Sequence, residues 1–158
     1  MKKDHPIAVI GAGAWGTALA QVCAEAGRPV TLYARDTGLA DAINKTHQNS
    51  LYLSGVTLNP AIKATADLAK AVADAGIILL VTPTQYMRET ILRLKPHLPK
   101  NALLVNCAKG IEIASGKLLS EVAAELVPDH PYAVLSGPTF AHEVARGLPT
   151  AVTLATAA

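Results

Sequence analysis

Short unbroken apolar runs recur along this chain. Each is followed by a stretch in which apolar residues return every three or four positions. Runs of the first kind suit strands buried on both faces, and stretches of the second kind suit amphipathic helices. Ile7–Ile10 is the first run. Leu19, Val22, Cys23 and Ala26 then form the expected apolar face of a helix that Gly27 and Pro29 stop. Val30–Arg35 gives a second strand, Thr37–Lys45 a helix carrying Leu39 and Ile43, and residues 46–59 a polar loop punctuated by Gly55. Pro60–Ala64 suits a short strand. Thr65 is placed to cap a helix through Ala75, with Leu68 and Val72 on its inner face and Gly76 at its end. Ile77–Thr82 is a fourth strand, and after Pro83 a helix through Lys95 presents Met87, Ile91 and Leu94. Ala102–Cys107 is a fifth strand. Ser115 is the expected cap of a helix reaching Val127, with Leu118, Leu119, Val122 and Leu126 inward. Tyr132–Leu135, a short helix at Phe140–Arg146 and a strand at Ala151–Ala155 complete the series.

This alternation predicts an α/β fold: a doubly wound, mainly parallel sheet of Rossmann type with helices on both faces. Ligands of such a fold sit beyond the carboxyl ends of the strands, where strand order reverses. The loops at Thr82-Pro83-Thr84, Lys109-Gly110 and Ser136-Gly137-Pro138 should meet there. Gly11-Ala12-Gly13-Ala14-Trp15-Gly16 falls between the first strand and the first helix. In that setting Gly11 permits the tight turn, Gly13 lets backbone approach a pyrophosphate, and Gly16 lets the helix pack closely. The helix start adds unpaired N–H groups and the positive end of a dipole. The motif therefore points to a dinucleotide.

At the end of the second strand, where a carboxylate would hold the ribose of NAD, stands Arg35, followed by Asp36. A guanidinium pairs with a 2′-phosphate that a carboxylate would repel, so NADPH is favoured over NADH. An Arg35 that stacks on adenine or faces water would leave both cofactors usable.

Composition narrows the class further. The chain has 158 residues, 51% of them hydrophobic and 16% charged, with a net charge of +2. That length suits one domain with a proper core. No basic stripe supports nucleic-acid binding, and Lys2-Lys3 reads as a short solvated pair. The run Ile77–Val81 is too short for a membrane span, and the chain enters a strand too early for a signal peptide. Cys23 and Cys107 lack metal or redox spacing and read as reduced core residues of a cytoplasmic protein, with no metal site expected.

Beyond the glycine loop, the chain carries His47-Gln48-Asn49 with Tyr52-Leu53, then Val81-Thr82-Pro83-Thr84. Cys107-Ala108-Lys109-Gly110-Ile111-Glu112 follows, and then Leu135-Ser136-Gly137-Pro138-Thr139-Phe140-Ala141 with Glu143-Val144-Ala145. With these blocks the chain resembles the bacterial type of NAD(P)-dependent glycerol-3-phosphate dehydrogenase over essentially its whole length. The resemblance implies reversible reduction of dihydroxyacetone phosphate to sn-glycerol 3-phosphate with NADPH or NADH, supplying the backbone of phospholipids. It also implies roles by position. Ala14 and Trp15 would contact cofactor at the phosphate loop, Arg35 near the adenosine ribose, and Ala141 elsewhere on the cofactor. Lys109 would serve cofactor and substrate, and Gly137 and Thr139 would contact substrate. Thr139 stands where many relatives have serine, so the hydroxyl is kept.

Plainer readings stand beside these. Lys109 also suits an exposed turn, and Thr139 a helix cap. Trp15 packs over the cofactor or fills space beside the first helix. His47, Asn49 and His142 carry polar groups without a decisive role, and Glu112 and Glu143 read as structural or solvated. The family has a second, helical domain bearing its catalytic lysine and the grip on substrate phosphate. Residues 1–158 are therefore expected to be the N-terminal dinucleotide-binding domain, with that second domain and every catalytic residue outside this chain. Such a fragment is expected to bind NADP(H) while turning over substrate negligibly. A homodimer is open to a full-length protein, whereas fragment dimers through uncovered apolar surface would be an artefact. Two other functions remain open: a different Rossmann dehydrogenase, or a nonenzymatic NADP(H)-binding module.

Overall fold

The structure, a computed structural model, describes residues 5–156. The Lys2-Lys3 pair lies outside the described residues. Seven strands form one sheet: β1 (Ile7–Ile10), β2 (Val30–Tyr33), β3 (Lys63–Thr65), β4 (Ile77–Leu80), β5 (Leu103–Asn106), β6 (Tyr132–Ser136) and β7 (Thr153–Thr156). Their order across the sheet is β3-β2-β1-β4-β5-β6-β7. All neighbours run parallel except β6 and β7, which pair antiparallel. Strand order therefore reverses between β1 and β4, as expected of a doubly wound sheet.

Six helices cover the two faces: α1 (Ala14–Glu25), α2 (Thr37–Thr46), α3 (Leu68–Val72), α4 (Met87–Leu94), α5 (Leu119–Leu126) and α6 (Ala141–Ala145). The alternation of β1 assigns the faces. Ile7 and Val9 join a core with residues of α1, α2, α6 and Leu53 of the long loop. Ala8 and Ile10 join a second core with residues of α3, α4 and α5. Because β1 is buried on both sides, it reads as a continuous apolar run rather than an alternating one.

Local chemistry corrects several expected boundaries and caps. Helix α1 buries Thr17, Ala18, Ala20, Gln21 and Ala24 as well as Leu19, so its inner face is turned from the one expected. Val22 is exposed, as is Ala26 just past the helix. Small residues can face the sheet because α1 lies close to it, and this outweighs hydrophobicity in choosing the inner face. Strand β2 stops at Tyr33, two residues early. Asp67 rather than Thr65 caps α3, accepting from the Lys70 N–H at 3.1 Å. Backbone N–H donation by Lys70 is the main reason the Asp67 carboxyl is held below its ordinary pKa.

Ser115 caps nothing either, for its hydroxyl is bonded to Glu112. Helix α5 begins only at Leu119. The Glu121 carboxylate accepts from the Leu118 N–H at 2.7 Å, and the Leu118 side chain is exposed rather than inward.

Candidate functional site

The chain leaves β1 through Gly11, whose φ of +124° favours glycine. A Cβ there would stand 2.9 Å from the carbonyl oxygen of Val81, so the turn rests against the end of β4. A Cβ at Gly16 would fall 1.8 Å from the Gly11 carbonyl oxygen, which fixes helix α1 directly over the turn. Gly13 differs from both: a Cβ there meets nothing within 4 Å. It is the N-cap of α1 in extended backbone, with no side chain capping the helix. Space is thus open beside Gly13, at a helix start whose N–H groups no side chain caps, as an anion site requires.

That space is the end of a cleft of about 420 Å³ lined by Gly11, Gly13, Arg35, Tyr52, Thr82 and Arg93, among others. Among the described residues, the Arg35 guanidinium has no hydrogen-bond or ion-pair partner. The adjacent Asp36 is committed elsewhere, its Oδ1 accepting from the Leu39 N–H at 2.7 Å to cap α2. The sequence-expected cofactor residues Gly11, Gly13 and Arg35 are therefore brought together, with Gly16 supporting them from behind.

Asn49 holds this loop in place. Fully buried, it donates to the Ala12 carbonyl at 2.9 Å and to the Thr17 hydroxyl at 2.8 Å. Its Oδ1 accepts from the Tyr52 N–H at 3.2 Å, so one side chain ties the glycine loop to a residue at the cleft mouth. His47, by contrast, ends α2 in a left-handed conformation with φ of +53°, a structural position.

A second cluster forms where three loops meet, as expected. The Lys109 Nζ donates to the Gly137 carbonyl at 3.2 Å. The Lys109 carbonyl accepts from the Thr84 hydroxyl at 2.6 Å. Gln85 braces the same loop, donating to the Ile111 carbonyl at 3.0 Å and accepting from the Ile113 N–H at 2.9 Å. Beneath it, Arg88 reaches Glu112 at 2.9 Å and Glu125 at 2.7 Å, and Lys117 reaches Glu125 at 2.6 Å. The Arg88 guanidinium and the Ser115 hydroxyl hold the Glu112 carboxyl below its ordinary pKa. Arg88 and then Lys117 lower that of Glu125 to about 2. Glu112 is thus structural and Glu143 solvated, in line with the sequence reading.

Other residues named from the sequence lie apart from the cleft or lack its chemistry. Trp15 packs against the first core and lines an apolar recess with Leu19, Val144, Leu148 and Val152, which favours its space-filling role. Ala14 packs against the same core, as does Ala141, the first residue of α6. Thr139 does not cap α6; the N-cap is Phe140, without a side-chain bond. A Cβ at Gly137 would stand 2.7 Å from the Ala151 carbonyl, so that glycine is required by the approach of the chain leading to β7. Cys23 and Cys107 are free thiols, and burial pushes Cys107 up to about 12. Among the described residues no group of three His, Cys, Asp or Glu could hold a metal. No helix among them is long and apolar enough to cross a membrane.

Sequence reasoning passed over Arg93, Arg88 and Gln85 and assigned no role to Asn49. Apart from the Asn49 contact with Tyr52, the partners that give them these roles lie 24 or more residues away in the chain, so no local pattern announces them.

Comparison with known proteins agrees with this fold. The family model for the N-terminus of NAD-dependent glycerol-3-phosphate dehydrogenase matches residues 6–158. Glycerol-3-phosphate dehydrogenase (NAD(P)+) of Rhodospirillum rubrum is 56% identical over 154 residues, covering 98% of this chain and 44% of that protein. The enzyme of the same name from Parvibaculum lavamentivorans is 56% identical over 149 residues, covering 94% and 44%. The crystal structure of glycerol-3-phosphate dehydrogenase from Coxiella burnetii superposes with a TM-score of 0.90 at 39% identity, covering 96% of this chain and 46% of that one. The chain thus spans somewhat under half the length of these relatives. It belongs to the NAD-dependent glycerol-3-phosphate dehydrogenase family, whose N-terminal part it matches.

Proposed function

We propose that this chain is the dinucleotide-binding domain, residues 1–158, of an oxidoreductase that prefers NADPH to NADH. The full-length enzyme reversibly reduces dihydroxyacetone phosphate to sn-glycerol 3-phosphate for glycerophospholipid synthesis, in the cytoplasm. The observation that carries the reading is the pairing of an open cradle at Gly13 with a guanidinium at Arg35 that no carboxylate neutralises among the described residues.

The residues present fit the cofactor. Gly13 leaves room for a pyrophosphate, and the start of α1 presents N–H donors and a positive dipole end. Arg35 offers planar paired donors to a 2′-phosphate. When bound, the nicotinamide cofactor supplies or accepts the hydride. Lys109, on a loop braced by Thr84 and Gln85, holds an ammonium against the Gly137 carbonyl. There it attracts the substrate phosphate and favours negative charge developing on the carbonyl oxygen. The half-buried Thr139 offers a further polar contact, and the family resemblance assigns cofactor contacts to Ala14, Trp15 and Ala141, which pack against the first core beside the cleft lining. The remaining length seen in relatives would supply the other wall, with the proton donor and the rest of the phosphate grip.

The test is direct titration of the purified chain with NADPH and NADH. Tighter binding of NADPH, lost on Arg35→Met, supports the reading. Equal affinities remove the cofactor preference, and no binding of either removes the domain assignment. Turnover of dihydroxyacetone phosphate with NADPH by the full-length gene product tests the activity. Absence of that activity, with cofactor still bound, would favour a cofactor-binding module.

A further inference from the structure

Arg35 is not the only guanidinium in the cleft. Arg93, on the last turn of α4, lines the same space. One of its Nη atoms donates to the Tyr33 hydroxyl at 3.3 Å. Tyr33 is the last residue of β2, two positions before Arg35, and it is itself 7% exposed. The bond anchors the end of a long flexible side chain to the sheet, at the strand end beside which Arg35 sits. Among the described residues Arg93 has no other side-chain partner, so its remaining N–H donors are uncommitted.

The anions nearby do not cancel this charge. Asp36 is held by its capping bond to Leu39. Glu89, one turn before Arg93 on α4, lines the cleft but forms no ion pair among the described residues. Two arginines without carboxylate partners among the described residues thus line one cleft, Arg35 from just past β2 and Arg93 from α4. Keeping two like charges near each other is unfavourable until a dianion lies between them.

We propose that Arg93 is a second specificity-determining residue for the 2′-phosphate of NADP(H), closing on it from α4 while Arg35 meets it from β2. Tyr33 positions the Arg93 guanidinium, and Glu89 weakens binding of the anion. The inference rests on the dinucleotide reading of the cleft and assigns its adenosine end. A planar guanidinium with free donors is worth more to a phosphate than a point charge, so lysine replaces it only in part.

The experiment uses two probes that lack the nicotinamide, adenosine 2′,5′-bisphosphate and 5′-AMP, titrated into the purified chain by calorimetry. Arg93→Met is expected to weaken the bisphosphate by about tenfold or more while changing 5′-AMP by less than about twofold. Tyr33→Phe should lower the same ratio by a smaller factor, and Glu89→Gln should raise it. Arg93 is exposed, so Arg93→Met should keep the wild-type thermal midpoint. Equal weakening of both probes, or no change in either, overturns the role of Arg93. A wild-type protein that binds both probes equally overturns it while leaving the dinucleotide reading intact. A wild-type protein that binds neither probe removes both.

Discussion

A Cβ on Gly16 would stand 1.8 Å from the carbonyl oxygen of Gly11, whereas one on Gly13 would meet nothing within 4 Å. Two glycines of one motif therefore serve different ends. Gly16 is required by the fold, because helix α1 lies on the turn it grows from. Gly13 keeps a space open. Gly16→Ala should cost about 3 kcal/mol of stability, at the upper end for overpacking, because the obstacle is backbone and cannot rotate away. Gly13→Ala should leave stability nearly unchanged, since its φ of −70° suits alanine. It should nevertheless weaken NADPH by tenfold or more, roughly the effect of displacing a phosphate from its donors. Urea unfolding and NADPH titration of both variants read the two effects separately. Normal NADPH binding by Gly13→Ala would show that the pyrophosphate does not approach there.

Asn49 supports the same loop from a distance. Asn49→Ala removes the donor to the Ala12 carbonyl and to the buried Thr17 hydroxyl, leaving these two only their mutual bond of 3.4 Å, and empties the space the amide filled. Leaving buried polar groups unpaired costs about 1–3 kcal/mol. Asn49→Asp is nearly isosteric but sets an acceptor against the Ala12 carbonyl, so it should be at least as harmful. Both variants should also weaken NADPH, because the glycine loop loses its brace. A urea midpoint unchanged in Asn49→Asp would mean that the contact with Ala12 carries little weight.

The layers of this fold were legible because β1, β4 and β5 are buried on both faces and so appear as unbroken apolar runs. The glycine cradle was legible for a related reason: its residues are contiguous, and each answers to a steric demand of the turn. The inner face of α1 was misread because alanines and a threonine face the sheet there. Periodicity weighs apolar bulk, whereas a close helix-to-sheet approach rewards small size. Arg93 was illegible because its role depends on Tyr33, sixty residues earlier in the chain. The brace around Lys109 was hidden likewise, since Thr84 and Gln85 between β4 and α4, and Arg88 on α4, act on it from 24 or more residues away. The family blocks marked Lys109 and Gly137 separately, without indicating that the lysine bonds the glycine carbonyl directly.

That bond gives Lys109 a testable dual character. With its Nζ 3.2 Å from the Gly137 carbonyl, the ammonium is oriented before any ligand arrives. In the full-length enzyme, Lys109→Met should cut kcat/KM for dihydroxyacetone phosphate by at least a hundredfold, roughly the loss expected for an oriented charge stabilising a developing oxyanion. Lys109→Arg should recover little, because the fork does not reproduce a point charge at the same place. Lys109 is exposed, so the thermal midpoint should hold. Near-normal turnover in Lys109→Met would reduce the residue to a loop contact.

The network beneath Lys109 makes the domain sensitive to acid in a defined direction. Arg88 grips Glu112, whose side chain is only 6% exposed, and shares Glu125 with Lys117. Both carboxyls are held below their ordinary range, Glu125 at about 2. In the unfolded chain they titrate near about 4.3, so the native state binds fewer protons than the unfolded state below neutrality. Their contribution is therefore complete above about pH 5 and fades as pH falls through the folded values, toward 2 for Glu125. Arg88→Met leaves Glu112 buried with only Ser115 for support, so its carboxyl rises and protonates earlier. The variant should be less stable at pH 7, and its acid unfolding midpoint should move to higher pH. Adding Glu112→Gln removes the stranded charge and should recover part of the stability at pH 7. Circular dichroism followed from pH 7 to pH 2 separates the cases. An acid midpoint in Arg88→Met equal to that of the wild type would show that the network contributes nothing to acid resistance.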